Sequence, residues 1–153
     1  SKEKEAIAKK NGCHHVINYT DKNFVEEVEK IVGKNSIDVV YDGVGIKTFD
    51  GSIETLKVRG MMVAFGNASG YVDTIDVKKH INAKGLFFTR PSIAHYTMTR
   101  KELVESAKKV FDAILSGKFK VEISKRYPLS DAKKAHEELE ARLLTGPAVI
   151  IPN

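Results

Sequence analysis

The chain has 153 residues, of which 42% are hydrophobic and 29% are charged, so its composition is that of an ordinary globular protein with a sizeable core. No apolar run approaches the roughly 20 residues of a membrane span, and the single cysteine, Cys13, excludes an intrachain disulfide and a cysteine-rich zinc site. The formal charge of +5 would suit a nucleic-acid binder, but acidic and basic residues are mixed along the predicted helices, which favours solvated helix faces.

Short apolar runs alternate with helical stretches over the first part of the chain. In chain order we predict a helix over 3–10, a strand over 15–19, a helix over 23–32, a strand over 37–41, a helix over 48–56, a strand over 61–65, a short helix over 77–82 and a strand over 86–89. Thr20 or Asp21 is the expected N-cap of the second helix. Nearly continuous apolar strands separated by helices are typical of a buried parallel sheet, so the pattern predicts an α/β fold of the nucleotide-binding kind.

The pattern changes towards the end of the chain. Thr99 is placed to cap a helix over 101–116, whose apolar residues recur at helical spacing and which Gly117 ends. A strand over 121–127, a helix over 132–143 capped by Ser130 or Asp131, and a strand over 148–151 follow. We interpret this β–α–β tail, which starts near residue 119, as a separate lobe.

The glycine-rich strand–turn–helix that usually opens a dinucleotide-binding sheet is missing from the sequence. The chain starts at Ser1 rather than at a methionine and goes straight into a helical stretch. We therefore interpret it as the later part of a longer dinucleotide-binding enzyme.

Three strand ends carry small or turn-forming residues, in the segments 42–45, 65–70 and 89–92. Ligands of open parallel sheets bind beyond the carboxyl ends of the strands, and glycines there allow a cofactor to approach the backbone. A single segment of this kind is usually an ordinary turn, but three at successive strand ends predict a cofactor site.

Two further candidates each keep two interpretations. Tyr19 is either an adenine-stacking wall or an ordinary edge aromatic. Lys2 and Lys4 are either charge partners of a ribose 2′-phosphate or solvated lysines.

The sequence contains no evident catalytic dyad. Asp38, Asp42 and Asp50 are expected to cap or to pair, and His136 is expected to be a packed or half-exposed helix residue rather than a base. The histidines lack the spacing that places two ligands on one helix face, so no metal site is predicted.

Several strings of the sequence carry a family resemblance when they are taken together. They are residues 16–19, 39–45, 60–70 and 89–92, and in the tail 127–129, 135–137 and 146–152. In order and spacing they resemble NADPH:quinone oxidoreductase, the zeta-crystallin-like, zinc-free branch of the medium-chain dehydrogenase/reductase superfamily. The resemblance implies the C-terminal portion of such an enzyme. Residues 1–118 would be a partial Rossmann-like, doubly wound parallel sheet without its first two strands and glycine-rich loop, and residues 119–153 the C-terminal segment of the catalytic domain.

The resemblance also implies an activity and a set of cofactor contacts. NADPH would be the cofactor, with hydride transfer to a quinone or a related α,β-unsaturated carbonyl in a cytoplasmic homodimer formed through the edge strand from Leu86 to Thr89. No metal, nucleic acid or membrane partner is implied. The resemblance places Lys4 at the 2′-phosphate, Tyr19 at the adenosine side, Val44 and Gly45 beside the cofactor, Phe65, Gly66, Asn67 and Ser69 near the nicotinamide ribose, and Arg90, Pro91 and Ser92 near the nicotinamide.

Two other interpretations stay open. Without a pyrophosphate-binding loop, the chain by itself would be a non-catalytic fragment or assembly module that cannot bind NADPH on its own. The basic charge also allows a nucleic-acid-binding domain, although the aromatic residues mostly occupy strand and helix-core positions rather than a basic groove.

Overall fold

The computed structural model describes residues 2–152. In chain order its elements are α1 (Lys2–Lys10), α2 (Phe24–Val32), β1 (Ile37–Asp42), α3 (Phe49–Thr55), β2 (Leu56–Ala64), a π-helix (Val77–Asn82), β3 (Phe87–Thr89), α4 (Ile93–Tyr96), α5 (Arg100–Leu115), β4 (Lys125–Pro128), a 3₁₀ turn (Leu129–Asp131), α6 (Ala132–Glu140) and β5 (Ala148–Ile151). These residues form two compact units, one of residues 14–98 and the other of residues 2–13 with 99–152. The domain boundary predicted after residue 118 lies inside the second unit and stays a prediction about the longer enzyme.

The unit of residues 14–98 is built on a three-stranded parallel sheet in the order β1-β2-β3. The register sets Asp42 beside Ala64 and Val63 beside Thr89, so the three strands end at the same edge. This arrangement confirms the predicted parallel α/β fold, and it brings the three glycine-containing or polar strand ends to one side of the sheet.

The core of this unit packs α3 against β1 and β2. Its buried members are Phe49, Ile53, Leu56, Met62, Ala64 and Leu86. Leu56 and Met62 are completely buried, and the ring of Phe88 meets that of Phe49 edge-on with 6.2 Å between the centroids. The packed core therefore fixes the positions from which the loops at the strand ends depart.

The second unit contains a two-stranded parallel sheet and three helices of eight or more residues. α6 lies between β4 and β5 in the chain, and the buried Tyr127 donates its hydroxyl to the carboxylate of Glu138. α5 begins with the predicted cap, in which Thr99 and Glu102 bond reciprocally. No helix within residues 2–152 combines the length and the apolarity that crossing a membrane requires.

Two predictions near the start of the chain are wrong. Residues 15–19, predicted as a strand, form no regular element. A strand needs a neighbour for its backbone hydrogen bonds, and no strand within residues 2–152 pairs with this segment. The cap of α2 is neither Thr20 nor Asp21 but Asn23, whose side chain accepts the backbone N–H of Val25 at 3.1 Å.

Three element ends also differ from their predicted positions. β2 begins at Leu56 rather than at residue 61, because the predicted turn is a bulge within the strand, with Arg59 at a φ of 60°. β4 is limited to Lys125–Pro128, the residues that pair with β5. α6 ends at Glu140 rather than at residue 143, because Arg142 adopts the left-handed φ of 57° that terminates helices.

Candidate functional site

The carboxylate of Asp42, at the end of β1, organises the β1 loop, residues 43–48. Its Oδ1 atom accepts the backbone N–H groups of Val44 and Gly45 at 2.8 and 2.9 Å. The hydroxyl of Thr48 lies 2.8 Å from Oδ2 and 3.0 Å from Oδ1, and the hydroxyl of Ser52 donates to Oδ2 at 2.9 Å. Asp42 is only 5% exposed, so a buried charge holds both the loop and the start of α3.

These hydrogen bonds decide the ionisation of Asp42. Burial, the largest single influence, would raise the pKa of this carboxyl group. The N–H of Gly45 and the hydroxyl of Thr48, with the other two donors, together outweigh burial and hold the pKa of Asp42 below its ordinary value. Asp42 is therefore ionised at neutral pH, and its carboxylate oxygens accept hydrogen bonds from the protein.

The β2 loop, residues 65–70, is bonded directly to the β1 loop. The backbone carbonyl of Asp42 accepts the N–H groups of Phe65 and Gly66 at 3.0 and 3.2 Å. Further along, the N–H and the hydroxyl of Ser69 both donate to the carbonyl oxygen of Val44, at 2.7 and 2.8 Å. The two loops are thus joined near both of their ends.

Two glycines allow this close approach. Gly45 has a φ of 93°, and a Cβ atom there would lie 2.4 Å from the carbonyl oxygen of Gly70. A Cβ atom on Gly66 would lie 2.4 Å from the carbonyl oxygen of Gly43. A side chain at either position would push the β1 and β2 loops apart.

Two pockets open at this edge of the sheet. The first, of about 250 Å³, is lined by Tyr19 and Val44 among others. The second, of about 100 Å³, is lined by Gly45, Asn67 and Arg90 together with apolar residues of the core. The predicted cofactor residues that the pockets bring together are Tyr19, Val44, Gly45, Gly66, Asn67 and Arg90.

Within the unit of residues 14–98, four predicted cofactor residues line neither of these pockets. The ring of Phe65 covers Gly43, where an added Cβ atom would lie 2.9 Å from it. Ser69 uses its hydroxyl as the link between the loops. Pro91 and Ser92 follow β3, and the hydroxyl of Ser92 makes no capping bond to α4.

Arg90 is held in place by contacts within the unit of residues 14–98. Its Nη1 atom donates to the carbonyl oxygen of Ala64 at 2.9 Å, and its guanidinium carbon lies 5.9 Å from the centre of the Tyr71 ring. A carbonyl at the end of β2 and an aromatic face therefore orient the guanidinium at the second pocket.

Lys4 lies on α1 and belongs to the unit of residues 2–13 and 99–152. The other predicted cofactor residues belong to the unit of residues 14–98. The ammonium group of Lys4 donates to the carbonyl oxygen of Arg142 at 3.0 Å. The contact of Lys4 with a 2′-phosphate therefore stays a prediction.

Sequence reasoning placed Asp42 in a strand-end segment of the site but expected it only to cap or pair, and it did not assign Thr48 and Ser52 to the site. The expectation that the aspartates cap or pair is confirmed, because Asp38 and Asp50 form ion pairs with lysines and Asp42 holds the start of α3. The available signal was an aspartate at the end of an apolar strand, followed by one hydroxyl residue just before the next helix and another within it.

Comparison with known proteins places the chain in a family. The sequence model of a family described as zinc-binding dehydrogenase matches residues 11–150. The 2-haloacrylate reductase of Burkholderia sp is 40% identical over 153 residues, which are 99% of this chain and 46% of that protein. Quinone oxidoreductase 1 of Escherichia coli (strain K12) is 42% identical over 98% of this chain and 46% of its own length. The chain thus spans about half the length of the curated relatives it matches.

Solved structures agree with these relatives. The crystal structure of Escherichia coli quinone oxidoreductase complexed with NADPH matches with a TM-score of 0.89 and 42% identity, over 95% of this chain and 45% of that one. A mycobacterial protein complexed with NADPH matches with a TM-score of 0.91 and 40% identity, over 99% of this chain and 47% of that one.

The family description names zinc, and the residues can be tested against it. Within residues 2–152 no three His, Cys, Asp or Glu side chains are grouped as ligands would be, and Cys13 is exposed. This part of the chain does not fit a zinc ion. The fold, the strand-end loops and the matches over nearly the whole sequence nevertheless agree with one another. The chain belongs to the zinc-binding dehydrogenase family and matches the C-terminal, Rossmann-like part of its quinone oxidoreductases.

Proposed function

We propose that this chain is the cofactor-binding part of an NADPH-dependent quinone oxidoreductase, which transfers a hydride to quinones or related α,β-unsaturated carbonyls. The observation that carries the proposal is the pair of joined loops at the carboxyl edge of the sheet. They combine glycines that allow the two loops to pack closely with an oriented guanidinium. This is the position where open parallel sheets bind dinucleotides.

The cofactor, when bound, supplies the hydride, and the residues of this chain bind and orient the cofactor. Gly45 and Gly66 allow the β1 and β2 loops to pack against each other, which fixes the shape of the site. Asn67 lines the second pocket, and its side-chain amide makes no hydrogen bond to other described residues, so this amide can bond a ligand. Arg90 adds donors whose direction is fixed by Ala64. Such groups hold a reactive ring against its acceptor without taking part in bond making.

The remaining predicted contacts are part of the same proposal. Tyr19 would stack on the adenine from the wall of the first pocket. Phe65 and Ser69 would border the nicotinamide ribose, and Pro91 and Ser92 the nicotinamide.

Two relatives suggest the class of acceptor. One is named for quinones and the other for 2-haloacrylate, and both chemistries present an electron-poor carbon–carbon bond conjugated to a carbonyl or a carboxylate. We propose that the enzyme accepts such conjugated electrophiles, with quinones preferred.

The test is NADPH oxidation by the full-length protein with 1,4-benzoquinone, a simple enone and 2-chloroacrylate as acceptors. Quinone-dependent oxidation of NADPH is expected, with slower turnover of NADH. Absence of turnover with every acceptor would overturn the proposal.

A second experiment addresses the choice of NADPH. We expect Lys4→Met to raise the KM for NADPH about tenfold or more, because a lost charge-assisted phosphate contact is worth about 1.5–3 kcal/mol, and to leave the KM for NADH unchanged. Lys9→Met on the same helix is the matched control, with no effect on either KM. Equal effects of Lys4→Met on both cofactors would contradict the assignment.

A further inference from the structure

Asp42 contacts both loops of the candidate site. Its side chain holds Val44 and Gly45, and its backbone carbonyl holds Phe65 and Gly66. All four partners are predicted cofactor contacts. Asp42 lies beside both pockets, but it is buried, and its carboxylate oxygens already accept four hydrogen bonds from the protein.

We propose that Asp42 is the positioning residue of the cofactor site, whose carboxylate sets the conformation of the β1 loop and, through it, that of the β2 loop. The proposal rests on the proposed NADPH-dependent function, since that function defines what the loops hold. In this proposal Asp42 acts through the loops and supplies no atom to the reaction, so it is not a catalytic residue. Loops that are fixed before binding bring no ordering cost to the complex.

The surroundings of Asp42 select a carboxylate. Every group directed at it is a donor: two backbone N–H groups and the hydroxyls of Thr48 and Ser52. A carboxylate accepts at both oxygens, whereas an amide would turn an NH₂ donor towards one pair of these groups. Hydrogen bonds to an ionised acceptor are also about twice as strong as neutral ones. An isosteric amide therefore fills the space but loosens the loop.

The contacts between the loops transmit a change at Asp42. Val44, which Asp42 positions through its N–H, accepts both the N–H and the hydroxyl of Ser69 through its carbonyl. Gly45, the second loop residue held by Asp42, packs directly on Gly70. A displacement of the β1 loop must therefore move or release the β2 loop.

The experiment compares Asp42→Asn with Asp38→Asn in the full-length protein. Asp38 makes a matched control, because it lies on the same strand, is exposed, and pairs only with Lys57 among the described residues. Hydrogen exchange of the cofactor-free protein is expected to be faster in Asp42→Asn for peptides of both loops, and unchanged in Asp38→Asn. The NADPH dissociation constant, from fluorescence titration, is expected to rise about tenfold in Asp42→Asn, the factor that one weakened charged hydrogen bond corresponds to.

The outcomes separate the two proposals. The positioning role is overturned if a folded Asp42→Asn protein exchanges the amide hydrogens of its β2 loop at the wild-type rate. It is also overturned if the NADPH dissociation constant of that protein is unchanged. In either case Asp42 is purely structural. A wild-type protein that does not bind NADPH overturns the proposed function instead, while the exchange rates still decide whether Asp42 couples the loops.

A milder variant covers the case in which Asp42→Asn does not fold. Ser52→Ala removes one donor to Oδ2 and leaves the two backbone bonds of the β1 loop in place. It is expected to speed exchange in both loops and to raise the NADPH dissociation constant about threefold. Unchanged exchange in Ser52→Ala overturns the proposal.

Discussion

Asp42 places a charge where the fold excludes water and then surrounds that charge with donors. Because these donors hold the pKa of Asp42 below its ordinary value, the ionised carboxylate stabilises the folded state. This contribution is complete above the unfolded pKa of about 3.9, and it is lost as the pH falls from there through the folded pKa.

Protonation of Asp42 at acidic pH should therefore remove the stabilisation that its carboxylate gives to the folded state. At about pH 7 we expect Asp42→Asn to lower the free energy of unfolding of the full-length protein by about 2–3 kcal/mol, the cost of weakened hydrogen bonds to a buried charge. The difference from wild type should shrink below about pH 4, as urea titrations at several pH values would show. Asp38→Asn, which affects an exposed ion pair, should change stability by at most about 1 kcal/mol. A difference for Asp42→Asn that does not vary with pH would contradict this assignment.

Gly45 shows the cost of a side chain between the loops. Gly45→Ala must accommodate a Cβ atom 2.4 Å from the carbonyl oxygen of Gly70, at a φ of 93°. Gly33→Ala is the matched control, because Gly33 has a φ of 90° and nothing within 4 Å of the added carbon. Both variants lose stability through the strained φ, and Gly45→Ala should lose about 1–3 kcal/mol more through overpacking. Equal midpoints in thermal unfolding would show that the loops separate without cost.

At the scale of elements, the sequence predicts what local chemistry determines. The parallel strands, α3 and the Thr99 cap of α5 follow from apolar patterning and capping residues. The segment 15–19 has the same apolar character but forms no strand, because pairing depends on a neighbour that periodicity does not reveal. The network of Asp42 could not be predicted for a related reason: its donors come from residues up to ten positions later, which only the packing of α3 brings together.

The C-terminal end of α3 is held by a lysine from a distant segment. The ammonium group of Lys84 donates to the carbonyl oxygens of Glu54 and Leu56 at 2.7 and 2.8 Å, and to the side chain of Asn35 at 2.7 Å. Burial lowers the pKa of Lys84, because the partly buried ammonium group loses some of its hydration. A cation at this position satisfies carbonyls that α3 cannot satisfy itself.

Removal of this cation should loosen α3. We expect Lys84→Met to lower the free energy of unfolding by about 1–3 kcal/mol, since at least two carbonyls lose their charged donor. Lys78→Met in the π-helix, where the side chain is exposed, serves as the control and should stay within about 0.5 kcal/mol of wild type. Chemical unfolding of the full-length variants measures both, and equal stabilities would contradict a capping role for Lys84.

At the scale of the whole molecule, each unit leaves apolar surface uncovered. α5 contains no buried residue although its apolar side chains recur at helical spacing, and Phe111 is 62% exposed. An amphipathic helix is stable in water only when its apolar stripe is packed against a partner. Since the chain spans about half the length of its relatives, we expect the rest of a longer enzyme to cover this stripe.

The outer edge of β3 is open in a different way. β3 pairs with β2 on one side, and no strand within residues 2–152 pairs with it on the other. Phe87 is 58% exposed on this short strand, whereas Phe88 packs against Phe49 in the core. An exposed apolar edge strand tends to pair with another strand, and we propose that two copies pair here about a two-fold axis.

Phe87 is therefore the residue with which to test the dimer, because a charge at Phe88 would also damage the core. We expect Phe87→Lys to convert the full-length protein from dimer to monomer in light scattering, since two lysines would then face each other across the new strand pair. Val77→Lys places the same charge on a similarly exposed apolar residue at the start of the π-helix and should leave the dimer intact. Circular dichroism must show that both variants stay folded. A Phe87→Lys protein that is folded and still dimeric would place the dimer contact elsewhere on the molecule.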